Sequence, residues 1–369
     1  MTQGAGQRID EGKGRVFPCE QCGADLKFEI GQHSLQCPYC GFTKPLEIAE
    51  GAAVAEHDFR AMLARVREKR QRGQTETLGT TEVRCDSCGA TVVFSGTLTS
   101  TECVCCGSPI QRENAHTGED RVPVDGVVPF QIDRPRAAEN LRQWVQSRWF
   151  APSDFRQRGG QGRFNGVYLP FWTFDAMTSN SYAGQRGEHY WVEEGSGHNK
   201  RRVRHTRWWP VSGRFQRFFD DVLVCAATGI SSSLMQALEP WPFEKTLPFN
   251  QPVLAGFFAQ TYAVPLDNGF QEAKGRIDAA IAQEVRQRIG GDEQRVDSIG
   301  SRFEALTYKH LLLPVWLLAY KYNDKSYQVV VNASTGEVQG ERPYSWIKIT
   351  VAVLTAAAAA AAFIFFMNR

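Results

Sequence analysis

The chain has 369 residues, 42% of them hydrophobic and 22% charged, which excludes wholesale disorder and leaves room for two or three domains with a sizeable core. Its formal net charge of +2 speaks against a dedicated nucleic-acid binder with a strong field, while allowing a local basic patch. The opening MTQGAGQRIDEGKGR is polar with no apolar core, so no secretory signal is expected and the ten cysteines are expected in a reducing compartment.

Residues 1–14 read as a flexible tail and 15–44 as a first cysteine unit, CEQCGADLKFEIGQHSLQCPYCG. Its skeleton returns within residues 80–112 as CDSCGATVVFSGTLTSTECVCCG. A CxxC pair folds into a knuckle whose thiolates point at one metal, and the glycine after each pair (Gly23, Gly41, Gly89, Gly107) permits the positive φ of that turn. Two knuckles complete a tetrahedral shell of four thiolates, the preferred surroundings of a structural Zn²⁺. The expected ligands are Cys19, Cys22, Cys37 and Cys40 in one site and Cys85, Cys88, Cys103 and Cys106 in the other. Iron is the alternative metal for such a set. Cys106 is chosen because it precedes Gly107 as Cys40 precedes Gly41, leaving Cys105 as a bystander or alternative ligand. Cys225, inside an apolar run, reads as a core thiol. Units this small bury too little surface to fold alone, so each metal is expected to be structural.

Between the units, residues 45–79 read as a helical linker, with Val54, Phe59, Leu63 and Val66 near helical spacing and Gly73 as its stop. Residues 113–124 read as a second linker. From 125 to 344 the pattern is a mixed α/β domain whose halves echo each other, by an internal duplication or by chance strand composition. VVPFQID precedes an amphipathic helix and the buried strand YLPFWTF; YAVPLD precedes GFQEAKGRIDAAIAQEVRQRI and then LLPVWLLAYKY. Leu169-Pro170-x-Trp172 against Leu313-Pro314-x-Trp316 is the sharpest match. The domain is expected to close with strands turning at Asn323-Asp324 and Thr335-Gly336.

From Gly197 to Arg217 the Lys and Arg residues meet no acidic residue, and aromatics are interleaved. Lys200, Arg201, Arg202, Arg204, Arg207, Trp208, Trp209, Arg214 and Arg217 form a candidate patch for an anionic partner: lipid headgroups, an acidic protein, or, less favoured, nucleic acid. An exposed strand pair with inward-packed aromatics is the plain structural reading. No GxxxxGK[ST] loop, GxSxG elbow or HExxH helix is present, and a non-enzymatic chain is expected.

Residues 347–367 read as a membrane-crossing helix, its uncharged stretch spanning about 28 Å at ~1.5 Å per residue. Trp346 and Lys348 precede the uncharged stretch, which begins at Ile349, as interfacial anchors. The thiolates need a reducing side, which implies a single-pass protein of the cytoplasmic (inner) membrane with its bulk facing the cytosol.

Together the residues describe an α+β multidomain chain with two four-cysteine zinc ribbons, a mixed α/β domain and one C-terminal transmembrane helix. The paired CxxCG units, EHDF at Glu56–Phe59, YLPFWTFDA from Tyr168, WWPVSG and FFDDVLVCA from Trp208, LAGFFAQTYAV from Leu254 and the terminal span together resemble a bacterial family of membrane-anchored double-zinc-ribbon proteins. Its members are often labelled primosomal protein N′ (replication factor Y) helicase-like or TFIIB-type zinc-ribbon proteins. The resemblance implies an adaptor at a membrane platform, with flotillin-like SPFH or phage-shock-type proteins as partners in a membrane-stress response.

Overall fold

The computed structural model describes residues 17–32, 34–46, 54–72, 122–153, 163–195, 200–322 and 325–367, and shorter stretches between 81 and 117 that include Cys85, Cys88, Cys103 and Cys105. The tail 1–14, Gly73, Gly89, Cys106, Gly107, the Asn323-Asp324 turn and Asn368-Arg369 lie outside the described residues.

In chain order, the first cysteine unit contributes β1 (Lys27–Phe28), β2 (Ser34–Gln36) and β3 (Thr43–Pro45). Next come β4 (His57–Asp58) and α1 (Phe59–Arg72). The helix starts later than the apolar spacing from Val54 suggests, because the Asp58 carboxylate accepts from Ala61 N–H at 2.6 Å and caps it there. The second unit holds β5 (Thr81–Arg84), β6 (Thr91–Phe94), β7 (Ser100–Glu102), β8 (Pro109–Gln111) and β9 (Ala115–Thr117). β9 falls in the stretch read as linker, where it pairs with Thr81–Val83.

The main body runs β10 (Gly126–Val127), α2 (Arg134–Gln146), β11 (Arg163–Glu194), β12 (Arg201–Cys225), β13 (Leu247–Pro248) and β14 (Phe258–Ala259). It continues with α3 (Leu266–Ile289), β15 (Glu293–Tyr322), β16 (Lys325–Asn332), β17 (Val338–Gly340) and α4 (Trp346–Met367). One sheet dominates, in the order β12-β11-β15-β10-β13, with β16 on β15, β17 on β16 and β14 on β11. β11, β12 and β15 are 32, 25 and 30 residues long, far beyond ordinary strands.

The two Leu-Pro-x-Trp motifs lie opposite one another, Leu169 against Leu313, Tyr168 against Pro314 and Pro170 against Leu312. Around that pair the backbone bonding repeats. β10 runs parallel to β15 at Leu311–Leu312, and β14 runs parallel to β11 at Val167–Tyr168. Ala226 N–H donates to Pro170 O at 2.9 Å, and Ala333 N–H to Pro314 O at 3.1 Å. The Trp172 indole donates to Val264 O at 2.9 Å, and the Trp316 indole to Ile132 O at 2.8 Å. Each tryptophan thus staples its strand to the segment that enters a helix.

Alternation along β11 and β15 defines two faces. Val167, Leu169, Phe171, Leu313, Val315 and Leu317 share a core with Cys85, Ala90, Cys103 and Cys105 of the second cysteine unit. Phe164, Tyr168, Leu312, Trp316 and Leu318 share another with Cys19, Leu26, Phe28, Leu35 and Cys37 of the first. The two units therefore cover opposite faces of one sheet. Backbone and side-chain bonds fix both: Phe28 N–H donates to Ala255 O at 3.0 Å, and the Gln328 amide donates to Cys105 O at 2.8 Å.

Away from this centre β11, β12 and β15 continue as a three-stranded arm. α3 lines one side of it, packing Ile277, Ile281, Val285 and Ile289 on Phe215 and Phe219. The helix stops at Gly290, whose φ of 65° only glycine adopts cheaply, and the chain turns into β15.

Candidate metal centres and the cationic arm

In the first unit, Cys19 N–H donates to Ala24 O at 2.7 Å and Cys37 N–H to Phe42 O at 2.8 Å, two identical loops closed five residues on. Gly23 and Gly41 take φ of 73° and 76° within them, as the spacing requires. The loops bring Cys19 Sγ within 3.6 Å of Cys40 Sγ and Cys22 Sγ within 3.5 Å of Cys37 Sγ, and all four sulfurs lie within 4.8 Å of one another. A tetrahedron with metal–sulfur bonds of ~2.3 Å has edges of roughly 3.8 Å, so these positions fit a four-thiolate shell. Backbone N–H groups of Cys40 and Tyr39 draw the Cys37 thiol down to about 6. Cys40, although it faces the Phe42 N–H, is pushed up to about 12 by burial and by the sulfurs crowding it. Four clustered thiols resist joint ionisation, and a divalent cation at their centre removes that conflict.

The second unit repeats the first loop, with Cys85 N–H donating to Ala90 O at 2.8 Å. Cys85, Cys88 and Cys103 form a group of three, with Cys88 and Cys103 sulfurs 3.5 Å apart. Cys106, the expected fourth ligand, lies outside the described residues. Cys105 is fully buried, and its sulfur accepts from the Gln260 amide at 2.8 Å. The Cys103 and Cys88 sulfurs beside it, with burial, hold its thiol well above the ordinary range. Cys225 is buried in the core beneath the second unit, and burial pushes its thiol up to about 12.

The strand pleat divides the candidate patch. Cross-strand partners share a face, and Arg202, Arg204, Trp208 and Arg214 sit opposite Glu193, Trp191, Gly187 and Ser181 on the side away from α3. Arg201, Arg207, Trp209 and Arg217 sit opposite Glu194, Glu188, Arg186 and Thr178 on the α3 side; Lys200 precedes the strand. On that side Arg217 is committed internally, bonding Glu284 at 3.0 Å and lying 4.6 Å over the Phe219 ring. The face away from α3 gains Arg295 and Arg302 from β15, opposite Gln185 and Ser179. Arg295 stacks 3.9 Å over Trp208 and Arg202 lies 5.7 Å from the Trp191 ring. Cations and exposed aromatics alternate there, with Phe218 and Trp191 more than half exposed.

A charged node at the root of the arm was not assigned from sequence. Bulges at Asp221 (φ 47°) and Ala305 (φ 44°) flank buried Asp175 on either side. Lys309 Nζ lies 2.9 Å from Asp221, 3.3 Å from Asp175 and 3.3 Å from Glu56. Although burial opposes its charge, these carboxylates hold Lys309 above the ordinary lysine range. Asp175 is raised, by burial first and by the Asp221 and Glu56 charges. Asp175, Asp220 and Asp221 are close enough to hold a cation, and the ammonium of Lys309 is already there. The node gives EHDF its roles: Glu56 meets Lys309, His57 bonds Asp125 at 2.9 Å, Asp58 caps α1 and Phe59 packs against Phe270 with rings tilted at 44°.

α4 is a 22-residue helix long and apolar enough to cross a membrane. No protein-family model and no solved structure matches the chain. It is 25% identical, over 346 residues covering 90% of this chain and 91% of the other, to the uncharacterized protein YdjG of Bacillus subtilis (strain 168).

Proposed function

We propose that this chain is a non-enzymatic adaptor held at the cytoplasmic membrane by α4, with its bulk in the cytosol and its long β arm as the docking element. Two zinc ribbons, built on Cys19, Cys22, Cys37 and Cys40 and on Cys85, Cys88, Cys103 and Cys106, act as clamps that close the two faces of the central sheet. The α/β body is an internal duplication; the repeated bonds around Leu169 and Leu313 support that reading. Partners of the SPFH or phage-shock type follow from the family resemblance.

The observation that carries the reading is the arm. From its root at Lys309 back to Gln294 β15 extends roughly 50 Å at ~3.3 Å per residue, ending in a face of alternating arginine and aromatic side chains. A strut that costs so many ordered residues has a use if something must be reached away from the anchor. The same face is also suited to single-stranded nucleic acid, since stacked aromatics and arginines grip bases and phosphates without reading sequence.

Full-length protein solubilised in detergent separates the two. The adaptor reading expects protein partners to co-purify with the wild type and to be lost when Arg202 and Arg204 are both changed to glutamate. Binding of single-stranded DNA or RNA with a steep salt dependence, abolished by the same two changes, would replace it with the nucleic-acid reading.

A further inference from the structure

The turn that follows α2 carries an aromatic pair that the core does not use. Trp149 is 56% exposed and Phe150 41%, their rings 5.2 Å apart edge to face. This turn is tied to the start of α4. Ser345 N–H donates to Phe150 O at 2.8 Å, and Lys348 Nζ reaches Ala151 O at 2.8 Å and Trp149 O at 3.3 Å. Tyr344 and Trp346 are exposed beside it. Arg148 stacks 4.6 Å over the Trp144 ring, burial and then the Arg342 charge oppose its own charge, and among the described residues neither arginine forms an ion pair with a carboxylate. Arg342 in turn covers the Tyr344 ring at 5.2 Å.

We propose that the turn Arg148–Phe150 is a second membrane contact, separate from the spanning helix. Trp149 and Phe150 lie at the headgroup level of the leaflet that α4 enters, and Arg148 and Arg342 bind anionic lipid phosphates. The inference rests on α4 crossing the bilayer. Continuity argues for lipid as the occupant: the turn is bonded to the first turn of α4 and therefore stays at the depth of Trp346. Amphipathic rings and paired guanidiniums are the groups that this layer accepts. Anchored at two points, the body cannot swing freely about the helix, and its orientation on the membrane is set.

The test uses the full chain in nanodiscs of phosphatidylcholine and phosphatidylglycerol with brominated acyl chains. Of nine tryptophans only Trp149 and Trp346 should be quenched, and W149F and W346F should each remove about half of the quenched signal. R148Q/R342Q should reduce quenching of Trp149 and abolish its dependence on phosphatidylglycerol. Unchanged quenching in W149F, with complete loss in W346F, would overturn the second contact and leave the anchor standing. So would burial of Trp149 between two copies of the chain, seen as protection from brominated lipid together with a dimer on sizing. Absence of quenching in the wild type, with release of the protein from membranes by alkaline carbonate, would overturn the anchor as well.

Discussion

Replacing Cys22 by serine removes one thiolate from the first candidate metal site while touching little else, because Cys22 is exposed whereas Cys19 and Cys37 are buried against the sheet. If the unit were a free module, the loss would stop there. It is instead part of the cover over Phe164, Tyr168, Leu312 and Trp316. Leu26, Phe28 and Leu35 are 4%, 5% and 2% exposed. At about 1.5–3 kcal/mol per buried side chain, their docking contributes roughly 5–9 kcal/mol as an upper bound. Loss of a third to a half, ~2–4 kcal/mol, would lower the main melting transition by about 4–16 °C in a body of this size. Calorimetry of the full chain in detergent, paired with metal counting by mass spectrometry, reads both effects. One metal equivalent should disappear and the main transition should fall. An unchanged main transition after loss of that metal would refute the reasoning and make the unit autonomous.

Lys309→Met should destabilise by ~3 kcal/mol, because it leaves Asp175 and Asp221 charged without their cation, and adding Asp175→Asn should recover part of that loss in chemical denaturation. Gly269→Ala should cost about 1–3 kcal/mol, since a Cβ there would meet the Trp172 ring at 2.6 Å, in the same assay. The Arg288 bond, with Arg217, holds Glu284 below its ordinary value. Its contribution is therefore full above roughly pH 4.5 and is lost as pH falls through the lowered value, so the acid side of the stability curve should flatten in Glu284→Gln. That contribution should stay within ~1 kcal/mol, because both arginines are partly exposed.

Local features were legible where chemistry demands a fixed spacing. CxxCG announces its own knuckle, and the helical stripe Leu266, Ala273, Ile277, Ile281, Val285 announces α3. The turn at Thr335-Gly336 is found, with Gly336 at φ 84°. What the pattern concealed is length and pairing. YLPFWTF reads as a short buried strand because only its centre is apolar on both faces; the rest of β11 alternates Ser, Asn, Gly and Arg, which resembles loop composition. The basic patch was seen as one surface, since one-dimensional reading cannot separate Arg202 from Arg201, which the pleat places on opposite sides. Arg295 and Arg302 were invisible as its members because a separate strand supplies them. The Lys309 node was hidden for the same reason: Glu56, Asp175, Asp221 and Lys309 come from four segments, although EHDF, YLPFWTFDA and FFDD had marked three of them.

The crossed pairing of the short strands governs how such a molecule can be taken apart. β10 belongs to the first half in sequence but lies along the second half's β15, and β14 does the converse on β11. Neither half keeps its own opening strand. A polypeptide ending before β14 would present Val167–Tyr168 unpaired and would leave β10 with β13 as its only neighbour, without β15. Its missing complement is the other half of the chain. Two separately expressed halves should accordingly find each other and rebuild the sheet.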